Sequence, residues 1–441
     1  DGRGYNNDNG TGKGVGTGDW TAGAGFGGRG GAASAYGMTG GGEYGTVESP
    51  GQPGSGGASY QPANPANRGG PGGGAVRLDV KKALTVNGTI SANGANAGYA
   101  SGGGSGGSIW ITCETFTGES TAILQARGGN GSYVSPNAAG GGGGGGRIRV
   151  DYTVLGITHD MKFRASPGTG WKTNDIDQTW MHAPDMGTLR LPGTGLLSPT
   201  LSGQQFRDVK LFTGASSWGV GSLLVSNCWL RFGGDGFQLT VTNNLRIQQG
   251  MLGIGLLNGT NKVRLAVGGS CVLTNNARLY VLSGMSNGVG QSFGGEVGVT
   301  GNLAIATSSW LVPYAHTING GGVLVRAAAI QIGSGAGIQA AGKGFAYERG
   351  PGKGGNEVNG WAGGGGYAGK GSDGTYGVAG SGGHGNVAAP ILPGSGGGSY
   401  QSAFPRRRGG YGGGVIRLDA PTITADGTLN ADAAAGDYAA G

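Results

Sequence analysis

The chain has 441 residues, of which 109 are glycine and only 12% are charged, so its composition differs sharply from that of an ordinary globular domain. Irregular glycine spacing and only 16 prolines exclude a collagen triple helix, which needs glycine at every third position. The net charge is +7, but the basic residues are scattered singly, and this distribution does not predict a nucleic-acid partner. The one basic run, Arg406–Arg408, is interpreted as a solvated loop, with a polyanion site as the alternative.

Residues 1–152 form the first predicted region, in which glycine runs are followed by short apolar strands. Three such strands end the units Gly74-Ala-Val-Arg-Leu78, Gly107-Ser-Ile-Trp-Ile111 and Gly146-Arg-Ile-Arg-Val150. Apolar residues at every second position lie on one face of a strand, and glycine lets two backbones approach closely. We therefore expect extended, polyglycine-like arms or lobes with backbone hydrogen bonds between neighbouring segments, at 10–75, 94–108, 128–146 and, later in the chain, 350–414.

The next two regions are 153–220, predicted to be an irregular connecting segment, and 221–340, predicted to form the coils of a β-solenoid. Within the second of these, a pattern of strand, Asn or Gly corner and strand recurs at 241–247, 273–279 and 299–305. Asn and Gly tolerate the left-handed backbone conformation that a corner requires. Helical periodicity is nearly absent. The expected fold is all-β, a parallel β-helix (β-solenoid) that carries the long glycine-rich lobes.

The last region, 341–441, is a partial second copy of the segment at 1–102. Pro53-Gly-Ser-Gly-Gly-Ala-Ser-Tyr60 recurs as Pro393-Gly-Ser-Gly-Gly-Gly-Ser-Tyr400, and Gly74–Asp79 recurs as Gly414–Asp419. A third match joins 87–90 to 426–429. A period near 340 residues predicts stacked repeats, and no capping segment is visible at either end. We therefore expect the partner to be the protein itself, as an end-to-end homopolymer or tandem array.

Four segments carry a resemblance to a known class of proteins, the glycine-rich repeats of very large bacterial surface proteins. They are Asn87–Gly94, Gly102–Ile111, Ala126–Gly131 and Gly146–Tyr152. The resemblance covers 70–152 and 393–441, and it implies an adhesin-like or surface-fibre protein with parallel β-helix architecture. It also implies an extracellular or cell-surface location and a structural role in a filament. An adhesin or glycan-binding module is the alternative.

Neither end of the sequence identifies a targeting segment. No stretch approaches the roughly 20 apolar residues that a transmembrane helix needs, so no membrane span is expected. The chain begins at Asp1 without a charged-then-apolar leader, and both a removed secretion signal and an excerpt from a longer chain remain open.

Candidate catalytic groups are sparse. The four histidines, His159, His182, His316 and His384, show no metal-binding spacing. Asp175 and Asp177 lie two residues apart and could share one strand face, as the carboxylates of a β-helical polysaccharide-degrading enzyme would, although a solvated loop is favoured. We expect no catalytic site, no metal site and no cofactor.

Four aromatic residues recur in matching positions of the two copies: Trp20, Tyr60, Trp361 and Tyr400. Exposed rings of this kind bind carbohydrate, which makes cell-surface polysaccharide the second candidate partner. The favoured interpretation is that these rings anchor the glycine-rich lobes.

Three cysteines, Cys113, Cys228 and Cys271, lie in apolar or β-type stretches. We interpret them as small buried hydrophobic residues, with a disulfide between Cys228 and Cys271 as the alternative.

Overall fold

The structure, a computed structural model, describes residues 1–17, 20–33, 39–135, 138–156, 160–170, 183–286, 293–356, 361–374, 378–400 and 408–436. This part of the chain is almost entirely β or without regular structure, and its one helical turn is a short 3-10 turn at Pro65–Asn67. None of the described residues forms a helix long and apolar enough to cross a membrane.

The chain divides into two compact units. The first lies within Asp1–Ile176, Trp180–Ser198 and Gly203–Ala215, and the second within Pro199–Ser202 and Ser216–Gly441. The strands up to the end of the first unit are β1 (Gly16–Thr17), β2 (Trp20–Thr21), β3 (Ala75–Val86), β4 (Thr89–Ser91), β5 (Ser108–Gly118), β6 (Ile123–Gln125), β7 (Tyr133–Ser135), β8 (Ala138–Gly140), β9 (Arg147–Leu155), β10 (Lys162–Arg164), β11 (Gly187–Leu191), β12 (Thr200–Leu201) and β13 (Phe206–Thr213).

The first unit is built around parallel strands in the order β3-β5-β9-β11-β13, with β4, β6 and β10 paired alongside. A small mixed sheet, β1-β2-β8-β7, lies in the same unit. Apolar residues stay in register from strand to strand: Val76, Ile109, Ile148, Leu189 and Leu211 form one continuous row. The period-2 pattern of the sequence therefore becomes a stacked core.

Further strands complete the second unit: β14 (Ser217–Val220), β15 (Leu223–Ser226), β16 (Trp229–Phe232), β17 (Gln238–Val241), β18 (Leu245–Gln248), β19 (Met251–Ile254), β20 (Val263–Val267), β21 (Cys271–Thr274), β22 (Arg278–Leu282), β23 (Gly295–Val299), β24 (Asn302–Ile305), β25 (Trp310–Tyr314), β26 (Val323–Arg326), β27 (Ala329–Ile332), β28 (Gly337–Gln339), β29 (Arg417–Asp419), β30 (Thr422–Ala425) and β31 (Thr428–Asn430).

These strands belong to three parallel sheets within the second unit. The sheets run β12-β15-β18-β21-β24-β27-β30, β14-β17-β20-β23-β26-β29 and β16-β19-β22-β25-β28-β31. The chain passes through one strand of each sheet before it begins the next coil, so β14–β16 form one coil and β29–β31 the last. The large parallel sheets of stacked strands are compatible with the predicted β-solenoid.

The core of the second unit consists of rows of apolar side chains that run from coil to coil. One row is Leu223, Leu245, Cys271, Leu303, Ile330 and Ile423. A second row is Leu230, Leu252, Leu279, Leu311, Ile338 and Leu429. Every member before the last coil is at most 1% exposed. Each such side chain contributes about 1.5–3 kcal/mol of burial free energy, so stability accumulates with every added coil.

The corners agree with the sequence in part. Asn275 and Asn276 are left-handed, with φ of 56° and 62°, as predicted for the corner after β21. The prediction is wrong for the other two corners, because Asn243, Asn244, Gly301 and Asn302 are not left-handed. Hydrogen bonds join these corners from coil to coil: Asn244 Oδ1 accepts from the Ser270 amide at 2.8 Å, and Ser270 Oγ accepts from the Asn302 amide at 3.3 Å.

The glycine-rich segments of the first unit are held by hydrogen bonds between their backbones. The backbone amides of residues 102–107 donate hydrogen bonds to three neighbouring segments in turn, so every third amide donates to the same segment. The acceptors are Ala58, Gly141 and Ala95 for Gly102, Gly103 and Gly104, then Ser55, Gly144 and Ala92 for Ser105, Gly106 and Gly107, at 2.7–3.1 Å. Three residues per turn is also the period of a polyproline II helix.

The region 153–220, expected to be irregular, supplies β10, β11, β12, β13 and β14 to the parallel sheets. The strand Lys162–Arg164 is so short that it buries only Phe163, and it is extended because it pairs with β6 and β13. Its pattern in the sequence is therefore too short to be recognised.

Candidate assembly surface

The last coil, β29–β31, has an open edge. Its strands pair on one side with β26, β27 and β28. Within the described residues no strand pairs with the other side. Backbone N–H and C=O groups along such an edge can pair with another strand. We refer to β29–β31 with this free side as the terminal edge.

The terminal edge also exposes the ends of the two core rows. Ile423 is 43% exposed and Leu429 is 47% exposed, whereas Ile330 and Ile338, the preceding members, are buried completely. Strand register sets the direction of these side chains, and no strand among the described residues covers them. Another apolar strand that lay against this edge would bury both side chains.

Charged side chains form a ladder on the outer face and reach the same edge. Lys262 Nζ lies 2.7 Å from Glu296, Arg326 lies 3.5 Å from the same carboxylate, and Arg326 Nε lies 3.0 Å from Asp419 on β29. The hydrogen bond from Lys262 is the main cause that lowers the pKa of Glu296. The signs alternate from coil to coil, so each of these side chains lies beside an opposite charge in the neighbouring coil.

The second glycine-rich lobe, which comprises the described residues of 342–416, repeats the hydrogen bonds of the first. Gly54 donates to Gly73 at 2.8 Å, and the equivalent bond from Gly394 to Gly413 is also 2.8 Å. Other matching pairs are Gly57 to Gly70 with Gly397 to Gly410, and Gly4 to Gly72 with Gly344 to Gly412, all at 2.7–3.0 Å. The sequence repeat is thus a structural repeat.

One element of the first copy has no described counterpart in the second. In the first copy, the Ala92 carbonyl accepts from Gly107 at 2.7 Å, and Ala92 is only 1% exposed. The equivalent Ala431 is exposed, and no described backbone amide donates to it. Ala434 is the equivalent of Ala95, whose carbonyl accepts from Gly104, and no amide in the described part of the chain donates to the Ala434 carbonyl. The terminal edge and the second lobe therefore share an uncovered side.

The four aromatic residues singled out in the sequence lie in different environments. Trp20 lies on β2 and is half-buried, and Tyr60 is half-buried with its ring 6.0 Å from that of Tyr99. Trp361 is 41% exposed, and Tyr400 is half-buried. Trp20 and Tyr60 belong to the first unit, Trp361 and Tyr400 to the second. The two interpretations, lobe anchors and carbohydrate contacts, both remain predictions.

The candidate titratable groups show no convergence among the described residues. Asp175, Asp177, His159 and His182 lie outside the described residues. His316 is buried; its Nδ1 accepts from the Asn319 amide at 2.9 Å, and burial lowers its pKa. Among the described residues no group of His, Cys, Asp and Glu is arranged to hold a metal ion.

The cysteine prediction is confirmed: Cys113, Cys228 and Cys271 are buried and none of them forms a disulfide, so the alternative disulfide between Cys228 and Cys271 is wrong. Each side chain fills a place in the apolar core. Of the arginine run, Arg406 and Arg407 lie outside the described residues, and Arg408 lies over the Tyr347 ring, 5.2 Å from its centroid. The solvated-loop and polyanion interpretations stay predictions.

Comparison with known proteins gives no further guide to function. No protein-family model matches the chain, and neither the curated proteins nor the solved structures include a significant match. The resemblance to bacterial surface proteins therefore stays an expectation. The assignment of the terminal edge as a candidate site rests on geometry alone. The sequence analysis did not identify its residues Ile423 and Leu429, although the match of 426–429 to 87–90 was a signal that pointed to this segment.

Proposed function

We propose that this chain is a structural segment of an extracellular filament or surface fibre that assembles by stacking repeats end to end. The observation that carries the proposal is the terminal edge, where two core rows end in the exposed side chains of Ile423 and Leu429. A solenoid grows by adding a coil to such an edge, and each added coil buries the row beneath it. The role is structural and not catalytic.

The second unit is, in this proposal, a β-solenoid, and the glycine-rich segments are polyglycine-like lobes beside it. Their support is the three-residue period of the bonds along 102–107 and the absence of space for side chains. A Cβ added at Gly103 would lie 2.0 Å from the Gly129 carbonyl oxygen, and one added at Gly107 would lie 1.9 Å from that of Gly74. Segments packed this closely make a stiff filament surface from few buried side chains.

Sedimentation velocity over a range of protein concentrations, together with electron microscopy, tests this function. The purified chain is expected to form larger species and filaments as its concentration rises. Replacing both edge residues, Ile423→Glu with Leu429→Glu, is expected to leave a folded monomer, because charges at an open edge oppose strand addition. The matched control is Val387→Glu, since Val387 is 95% exposed in the same unit. Unchanged assembly of the double variant would refute the proposal.

A glycan-binding surface is the second candidate function. The observation that favours it is the ring pair Tyr60 and Tyr99, because Tyr99 is 49% exposed and the two centroids lie 6.0 Å apart. Paired rings at a surface can contact the apolar face of a sugar. Binding on a glycan array that is lost in Tyr60→Ala and kept in the double edge variant would support this function; no binding to any glycan would contradict it.

A further inference from the structure

We propose that three arginines on the outer face of the first unit form a site that binds an acidic polysaccharide. The residues are Arg127, Arg164 and Arg207, which stand far apart in the sequence and all belong to this unit. The site uses neither the terminal edge nor the ring pair Tyr60 and Tyr99. It therefore goes beyond both of the functions proposed above.

Strand register brings two of the arginines side by side. Strand β10 pairs in parallel with β6 and β13, and this places Arg164 directly opposite Gln125 on one side and Arg207 on the other. The residues before the two arginines, Phe163 and Phe206, are buried completely, so the arginines lie on the outer face of the sheet. Paired strands are about 4.8 Å apart, and like charges directly opposite each other are destabilising. An anion bound between the two guanidinium groups would reverse this effect.

The third arginine adds to the positive charge of this pair. Arg127 follows β6, and the amide of the residue before it, Ala126, donates to the Arg164 carbonyl at 2.9 Å. Burial lowers the pKa of Arg164, and the positive charges of Arg127 and Arg207 lower it further. Lys162 lies on the same face of β10, two residues before Arg164. Four positive side chains are thus gathered on two strands and the segment that follows β6.

The carboxylate of Asp208 offsets part of this charge. It accepts a hydrogen bond from Ser166 Oγ at 2.8 Å. Burial raises the pKa of Asp208, whereas the Ser166 hydrogen bond and the charges of Arg207 and Arg127 act in the opposite direction. One carboxylate cannot balance three arginines, and the cluster therefore attracts anions.

The neighbouring side chains favour a saccharide among the possible polyanions. Ser91 on β4 and Gln125 on β6 continue the row that contains Arg164 and Arg207, and Gln125 Nε2 donates to Ser91 Oγ at 3.3 Å. Hydroxyl and amide groups can exchange hydrogen bonds with sugar hydroxyls, and guanidinium groups bind oxyanions through paired hydrogen bonds. Single-stranded nucleic acid is bound by stacking its bases on aromatic rings, and these four residues include no ring. A polymer with repeated acidic groups can contact both arginines at once.

The test measures the binding of three polysaccharides to the full chain by isothermal titration calorimetry. Heparin carries sulfate groups, polygalacturonate carries carboxylates, and dextran is neutral, so the comparison also identifies the acidic group. We expect saturable binding of an acidic polymer that weakens as the salt concentration rises, because exposed charges are screened. We expect no binding of dextran. Equally tight binding of a single-stranded oligonucleotide would overturn the assignment to a polysaccharide.

Substitution of single arginines tests the residues of the site. Arg164→Gln and Arg207→Gln are each expected to weaken binding at least about tenfold, because each removes charge-assisted hydrogen bonds to the anion. The matched control is Lys81→Gln, which removes one exposed positive charge from β3 in the same unit and is expected to leave binding unchanged. Without polymer, both arginine variants are expected to keep or raise the melting temperature, since the repulsion between the two charges is removed.

The remaining outcomes decide against the site. A lower melting temperature of the arginine variants with unchanged binding would show that the arginines act only in folding. An equal loss of affinity in Lys81→Gln would show general attraction by the net charge. Binding of inorganic sulfate without either acidic polymer would identify an adventitious ion only. Each of these results would overturn the inference, and none bears on filament formation, which is measured separately by sedimentation.

Discussion

Glycine-to-alanine substitutions in the glycine-rich lobe of the first unit are expected to change the free energy of unfolding in a direction that depends on the position. Replacing Gly106 by alanine would place a Cβ 2.2 Å from the Ala126 carbonyl oxygen and 2.6 Å from the Gly146 amide nitrogen. These two groups are hydrogen-bonded to each other at 2.7 Å. Overpacking costs about 1–3 kcal/mol and a weakened hydrogen bond about 0.5–1.5 kcal/mol, so Gly106→Ala is expected to destabilise the unit by about 2–4 kcal/mol.

Gly51 provides the matched control, since nothing lies within 4 Å of its added Cβ. Gly51→Ala is expected to be neutral or to stabilise by up to about 1 kcal/mol, because alanine restricts the unfolded chain. Differential scanning calorimetry measures both variants, and hydrogen exchange of the Gly103 and Gly146 amides locates the change. Equal effects of the two substitutions, or a neutral Gly106→Ala, would refute the close-packed arrangement.

Three further predictions concern the second unit. Leu279→Ala, in the middle of a core row, is expected to lower the free energy of unfolding by about 2–5 kcal/mol, and Leu429→Ala at the row's exposed end by about 1 kcal/mol; urea unfolding compares them. Burial raises the pKa of the Cys271 thiol from 9.0 to about 12, so the free energy of unfolding should fall as the pH rises between these values. Native Cys271 should also resist alkylation at pH 8, and rapid labelling without unfolding would contradict this. The lowered pKa of Glu296 adds stability above its ordinary value of 4.5, and this stability is lost as pH falls through the lower folded value. Glu296→Gln should therefore cost about 0.5–1 kcal/mol at pH 7 and progressively less as the pH falls below 4.5, measured by thermal melts.

Sequence patterns predicted the strand type and the stacking, because alternating apolar residues must find a common face. The units ending at Leu78, Ile111 and Val150 are strands in one register, as the period-2 pattern requires. Predictions from single residues were less reliable. Asn275 and Asn276 are left-handed and Asn243 and Asn244 are not, although both pairs stand in the same Thr-Asn-Asn motif. Corner conformation depends on the neighbouring coil, which a single motif does not record.

The residues of the candidate site could not be chosen from the sequence alone. Ile423 stands in Thr422-Ile-Thr424, a pattern that predicts an inward-facing residue, and strand register confirms that direction. Its exposure depends on whether another coil follows, which is a property of tertiary packing. The repeat gave the available clue, because it placed 426–429 opposite 87–90. Only the structure shows that the first copy of this surface is covered by β5 and β6 and that the described second copy is open.

In the proposed filament the terminal edge receives the next coil. Electron cryomicroscopy of the chain at high concentration shows whether strand density lies beside β29–β31 on the free side. We expect a parallel strand about 4.8 Å away, with side-chain density over Ile423 and Leu429. Discrete particles in which this side faces solvent at every concentration would contradict it.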